Sequence, residues 1–240
     1  MALLVGGRKS DGSGVTRLWT EVRRLAAPVT LLALVLFSLV TSTGLLVVHA
    51  LDTTVGRWDA EVEQNLAEGR TPRLDSLTGA GTWLAETMVV AVLTVVVVAV
   101  AAWVTRNWRA PAFLGLCVLG EKAVYLASSL VVDRPRPPVP TLGHVYATTS
   151  YPSGHVGSAV ALYGGVAVLL AMRHRTPAAL RRAAIVLAVV APAVVGFARM
   201  YRGFHYPTDV VAGALLGVAW VAAMWALILR RQDGKTEAPP

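Results

Sequence analysis

The stretch Ala198-Arg199-Met200-Tyr201-Arg202-Gly203-Phe204-His205-Tyr206-Pro207-Thr208-Asp209 lies directly between two apolar runs, residues 183–198 and 210–229. Each run approaches the roughly 20 apolar residues that carry a helix across a bilayer. The twelve residues between them therefore read as a short connection at a membrane surface. Working outward, the same criterion finds four more spans, at residues 29–48, 87–104, 112–132 and 156–172. The chain has 240 residues, is 55% hydrophobic and 15% charged, and has a mean hydropathy of +0.58, the balance of a membrane protein. The expected fold class is all-α, a polytopic membrane protein built as a six-transmembrane-helix bundle. Its domain covers residues 28–230 with an outer loop at about 50–86, between a basic N-tail at 1–27 and a C-tail at 231–240.

Lys and Arg placement gives the expected orientation. With both termini on one side, that side receives 14 of the 22 basic residues, the opposite side receives seven, and Lys122 lies inside the third span. The positive-inside rule then places both termini in the cytoplasm. The net charge of +8 follows from these flanking residues, and no nucleic-acid-binding motif accompanies it. The single cysteine, Cys117, falls in an apolar span, which excludes a disulfide framework and a CxxC metal site. The basic N-terminal region is long and the apolar run after it can span, so it is expected to stay as helix one. In the outer loop, Val62 and Leu66 share a face if helical, predicting a short amphipathic helix with Trp58 and Trp83 as interfacial anchors. Glu121 and Lys122, inside the third span, are expected to contact neighbouring helices rather than act in chemistry.

In this topology three polar segments share the outer side: Asp133-Arg134-Pro135-Arg136-Pro137-Pro138, Tyr151-Pro152-Ser153-Gly154-His155 and the 198–209 connection. Each suits a phosphate. Arg134, Arg136 and Arg199 offer planar forks of donors. Ser153 and Gly154 precede a helix, whose unpaired N–H groups favour an anion. His205 is a candidate nucleophile or base, and Asp209, four residues on, can hold its ring in one tautomer. His155 opens the fourth span; His144, between the first two segments, is its rival as an acid. His49 reads as interfacial, and His174 falls on the opposite side of the membrane.

These segments resemble the signature of the type-2 phosphatidic acid phosphatase superfamily, which also includes acid phosphatases and vanadium haloperoxidases. In that family the first motif is Lys, six residues, then Arg-Pro; the second is Pro-Ser-Gly-His; the third is Ser-Arg, five residues, His, three residues, Asp. The second matches at Pro152 to His155, the third at Arg199, His205 and Asp209. Ala198 stands where the family usually has Ser. With Arg136 taken as the first motif's Arg, Ser129 stands in the Lys position; with Arg134, Ala127 does.

The resemblance implies hydrolysis of a phosphate monoester or diphosphate on a membrane lipid, of polyprenyl diphosphate or phosphatidic acid type, at the outer face. By similarity, His205 attacks phosphorus and forms a phosphohistidine, Asp209 orients His205, and His155 protonates the leaving oxygen. Arg134, Arg136, Ser153, Gly154 and Arg199 would bind the phosphate, with no metal and no cofactor. The alternative is a non-catalytic lipid-phosphate-binding or transport protein that retains the fold. The sequence does not specify an oligomeric state.

Overall fold

The computed structural model describes residues 12–144 and 149–230. Of the expected tails, residues 1–11 and 231–240 lie outside the described residues. Helix α1 is Gly12–His49, followed by a π-helical turn at Asp52–Gly56 and by α2 (Arg57–Glu68) and α3 (Pro72–Thr82). Then come α4 (Thr87–Thr105) and α5 (Arg109–Val132). The fourth span is α6 (Gly154–Ala159) and α7 (Gly165–Met172), joined through a π-helical turn at Val160–Gly164; α8 (Ala178–Tyr201) and α9 (Pro207–Met224) complete the chain, α9 running on through a final π turn to Leu229.

Six of these segments are long and apolar enough to cross a membrane: Arg23–His49, Thr87–Thr105, Arg109–Val132, Gly154–Met172, Ala178–Tyr201 and Pro207–Leu229. The protein is an all-α, multi-pass membrane protein, and each expected span coincides with one of these helices. The helices extend past the hydropathy limits because their polar ends continue the same hydrogen-bond ladder. The largest extension is at the N-terminus, where residues 12–27, expected as tail, form the first turns of α1.

Burial shows which span is central. Half of the most apolar window of the fourth span is buried, against 11% of that in α4, which faces lipid along most of its length. The fourth span can sit at the centre because glycines let α9 approach it. A Cβ on Gly213 would fall 2.3 Å from the Ser153 carbonyl oxygen, and one on Gly217 would fall 2.8 Å from Val160 Cβ. The Gly213–Gly217 pair therefore makes a contact inside the bundle. Around it pack Phe113 and Cys117 of α5, Leu162, Val195 of α8, and Trp220 and Met224 of α9, all fully buried.

The 50–86 segment, expected as an outer loop, holds two α-helices rather than one. On α2 the most buried residues are Asp59 and Glu63, with Val62 and Leu66 half-buried beside them. The expected amphipathic face thus points inward carrying carboxylates, because Arg134 waits beneath it. Helix α3 starts at Thr71, whose hydroxyl accepts from the Leu74 N–H, and is tied to α8 by Tyr201, whose hydroxyl bonds the Asp75 carboxylate at 2.9 Å. Trp58 and Trp83 remain exposed, as interfacial anchors would.

Gly217→Val should force Val160 outward and lower stability by roughly 1–3 kcal/mol, the usual loss on overpacking. A melting curve of the detergent-solubilised protein would then shift down by several degrees; an unchanged midpoint would contradict this helix contact.

Candidate active site

The first polar segment begins where α5 ends. Asp133 takes a left-handed conformation at φ 44°, which Asp tolerates better than most residues, and the chain turns away from the helix axis. Arg134 then points into the protein. One Nη donates to the Asp209 carboxylate and to the Thr208 hydroxyl, each at 2.7 Å, and the other donates to Asp59 at 2.7 Å. Asp59 also accepts from the Thr208 N–H at 3.1 Å and from its hydroxyl at 2.5 Å. All three charged groups are buried, and the Tyr206 ring lies 4.0 Å from the guanidinium. Arg134 was expected to offer its fork to phosphate; both its terminal nitrogens are instead engaged by carboxylates, so it joins α2 to the start of α9.

The backbone of the same segment aligns the second one. Pro135 and Thr149 form an isolated antiparallel bridge. The Ser150 N–H donates to the Arg134 carbonyl at 2.8 Å, and the Ser150 hydroxyl donates to the Pro135 carbonyl at 3.0 Å. The Ser150 carbonyl in turn lies 2.7 Å from His205 Nδ1. A carbonyl oxygen only accepts, so Nδ1 carries the proton and Nε2 keeps its lone pair.

Asp209 does not hold the ring by a direct hydrogen bond. Its nearer oxygen is 3.8 Å from His205 Nδ1. That oxygen accepts instead from the Tyr206 N–H at 2.9 Å, as a carboxylate in a helix's first turn does, while the other oxygen takes Arg134. Asp209 acts on His205 as a nearby buried charge. Burial pushes His205 down to about 4; Asp209 opposes this, and Arg199 and Arg136 add to it.

The helix start at Ser153 and Gly154 forms as expected, with the Ser153 N–H donating to the Asp209 carbonyl at 2.9 Å. Gly154 presses on the Tyr125 ring of α5, where a Cβ would lie 2.6 Å from Tyr125 Cζ. His155 is half-buried, and the charged groups acting on it are Arg199, His205, Lys122 and Arg136. Arg199 is buried with its guanidinium 3.8 Å from the Phe204 ring, and Arg136 donates to the Phe204 carbonyl. Two buried polar atoms here lack any partner, Arg199 Nε and Ser153 Oγ.

The structure thus gathers His205, His155, Asp209, Arg199, Arg136, Ser153 and Gly154 at one end of the bundle. His144 is exposed in the loop after α5, His49 is exposed at the end of α1, and His174 lies between α7 and α8, at the far end. Two residues outside the sequence expectation matter. Asp59 is one acid among several in a loop, with no motif to mark it. Ser150 contributes a backbone carbonyl, which no side-chain pattern reports.

The three segments converge around His205, whose Nε2 is left unprotonated and on which the charges of Arg199 and Arg136 act. A sequence model described as the PAP2 superfamily matches residues 82–233. The chain belongs to the PAP2 superfamily. A phosphatidylglycerophosphatase B of Bacillus subtilis (strain 168) is 32% identical over 87 residues, which is 36% of this chain and 42% of that protein. The crystal structure of a transmembrane PAP2-type phosphatidylglycerolphosphate phosphatase from Bacillus subtilis superposes with a TM-score of 0.69 at 21% identity, over 89% of this chain and 98% of that one. That of Aquifex aeolicus LpxE gives a TM-score of 0.50, also at 21% identity, over 68% and 93%. At these identities the superpositions speak to the fold alone.

Removing one partner of a buried ion pair typically costs about 3–5 kcal/mol. Asp59→Asn and Arg134→Gln should each lower the melting temperature strongly. The double variant should fall short of the summed losses by roughly 0.5–3 kcal/mol of coupling. Strictly additive losses would mean that the pair does not act as a unit.

Proposed function

We propose that this protein hydrolyses a phosphate monoester or diphosphate on a membrane lipid through a phosphohistidine on His205. The observation that carries the reading is the unpartnered pair Arg199 Nε and Ser153 Oγ beside a histidine whose Nε2 lone pair is free. A buried polar group without a partner costs about 1–3 kcal/mol. Donors grouped around a nucleophile repay that loss when an anion with several acceptor oxygens enters. Arg136 and Arg199 set a positive potential there, since Arg134 occupies the nearest carboxylate. The printed name of the Bacillus subtilis relative, a phosphatidylglycerophosphatase, agrees with a lipid phosphate substrate.

The chemistry follows from these positions. The His205 Nε2 lone pair attacks phosphorus, a P–N bond forms, and the bond to the leaving oxygen breaks. His155 gives that oxygen a proton. The attack leaves His205 positively charged, and the Asp209 carboxylate at 3.8 Å stabilises that charge. Arg199, Arg136, Ser153 and the Gly154 N–H take the equatorial oxygens, so the guanidinium groups do the work that a divalent cation would do elsewhere. A water then attacks phosphorus, His155 accepts its proton, the P–N bond breaks, and phosphate leaves.

Orientation supports an outer-face site. Arg106, Arg109, Arg173, Arg175, Arg181 and Arg182 all lie at the end of the bundle opposite His205, and by the positive-inside rule that end is cytoplasmic. Both termini would share that side, and a lipid reaches the site laterally from the outer leaflet.

Phosphate release from phosphatidic acid or a polyprenyl diphosphate in detergent should persist with excess EDTA and disappear in His205→Ala. Loss on chelation with recovery on adding magnesium would overturn the metal-free mechanism, and an active His205→Ala would remove His205 as nucleophile. The lowered His205 value has a definite sign: the free base persists until the pH falls to about 4, rather than 6.5. The acid limb of kcat/KM assigned to His205 should therefore lie near pH 4.

A further inference from the structure

Lys122 is a cation inside a membrane-spanning helix, and among the described residues no ion pair includes it. A charged side chain at the bilayer centre is unfavourable by about 2.5–3.5 kcal/mol on insertion scales. Such a residue normally turns to a carboxylate. Its neighbour Glu121 goes elsewhere: one oxygen accepts from the Ser158 hydroxyl at 3.2 Å, and the other lies where a Cβ on Gly157 would be 2.1 Å away. Glu121 thus fulfils the expected structural role against α6.

Lys122 is instead drawn toward the site. Its ammonium sits 4.9 Å from the centre of the Tyr125 ring, and that ring is pressed against Gly154. Tyr125 is seven residues before the end of α5, so the start of α6 lies about 10 Å below that end at 1.5 Å per residue. The start of α6 therefore lies at the level of Tyr125, about one turn above Lys122, and the Lys122 ammonium reaches that ring. Lys122 is also among the charges acting on His155.

We infer that Lys122 is a specificity-determining residue that meets the leaving group and favours lipids carrying a second phosphate next to the scissile one. The inference rests on the phosphatase reading above. In an in-line transfer the leaving oxygen lies opposite the nucleophile, on the side of the proton donor. His205 is the nucleophile and His155 the donor, so the group departing past His155 passes the Lys122 ammonium. A departing phosphate carries charge that an ammonium stabilises in a site with little water. A departing alcohol carries none once His155 has protonated it. The two substrate classes therefore depend on Lys122 to different extents.

The test compares initial rates of the detergent-solubilised full chain on a polyprenyl diphosphate and on phosphatidic acid. Lys122→Met should lower kcat/KM for the diphosphate about tenfold or more, less than the roughly 10²–10³-fold lost with a donor on the reacting oxygen itself, and leave the monoester within about threefold. Lys122→Arg should restore most of the diphosphate rate. Equal loss on both substrates, or no loss on either, would overturn the role of Lys122 and leave the phosphatase reading standing. A wild-type protein that hydrolyses neither substrate would overturn that reading, and the inference with it. Gel filtration and a melting curve identify a variant that has failed to fold, and in that case the ratio for Lys122→Arg decides: an unchanged preference supports the role, and a lost preference contradicts it.

Discussion

The site depends on Arg134 being held between Asp59 and Asp209. Its side chain fixes the start of α9, and with it Asp209 and the connection that carries His205. Its carbonyl receives the Ser150 N–H, and the Ser150 carbonyl sets the tautomer of His205. One residue therefore positions His205 from two directions, through a charge and through the backbone. Burying three charges is unfavourable unless each is hydrogen-bonded. Thr208 and the Tyr206 N–H supply the remaining bonds to Asp59 and Asp209.

This clamp divides the work between two arginines that look alike in sequence. Arg134 neutralises carboxylates, while Arg136 and Arg199 keep their charge directed at the histidines. Without Arg134, Asp59 and Asp209 would offset the positive potential of Arg136 and Arg199. The cap helices belong to the same design: α2 brings Asp59, and α3 holds the end of α8 through Tyr201 and Asp75. Glu63, beside Asp59, is buried with neither oxygen bonded; burial, with Asp209 adding to it, pushes it up to about 8, so it is largely protonated at neutral pH and adds little to the negative charge there.

The six spans were legible because hydrophobic length is a direct consequence of bilayer thickness. The grouping of the three polar segments followed from counting crossings, and the helix start at Ser153 and Gly154 followed from local backbone chemistry. Less was legible where partners are remote in sequence. Arg134 and Asp59 are 75 residues apart, and nothing in either neighbourhood marks the pair. The Asp209 spacing suggested a direct bond to His205, yet the first turn of α9 and Arg134 claim both carboxylate oxygens. The acceptor that does hold the ring is a main-chain carbonyl, present at every residue and so invisible in any residue pattern. The outer loop was read from Val62 and Leu66, while the carboxylates on the same face set how deeply α2 packs.

The central claim is that His205 attacks through Nε2 because Ser150 holds Nδ1. Acid-labile, base-stable phosphate trapped during turnover of a labelled lipid phosphate, then located by peptide mass spectrometry and assigned to one ring nitrogen by NMR, tests it directly. The expected result is phosphate on His205 at Nε2. Phosphate on His155, or on His205 at Nδ1, would contradict the account.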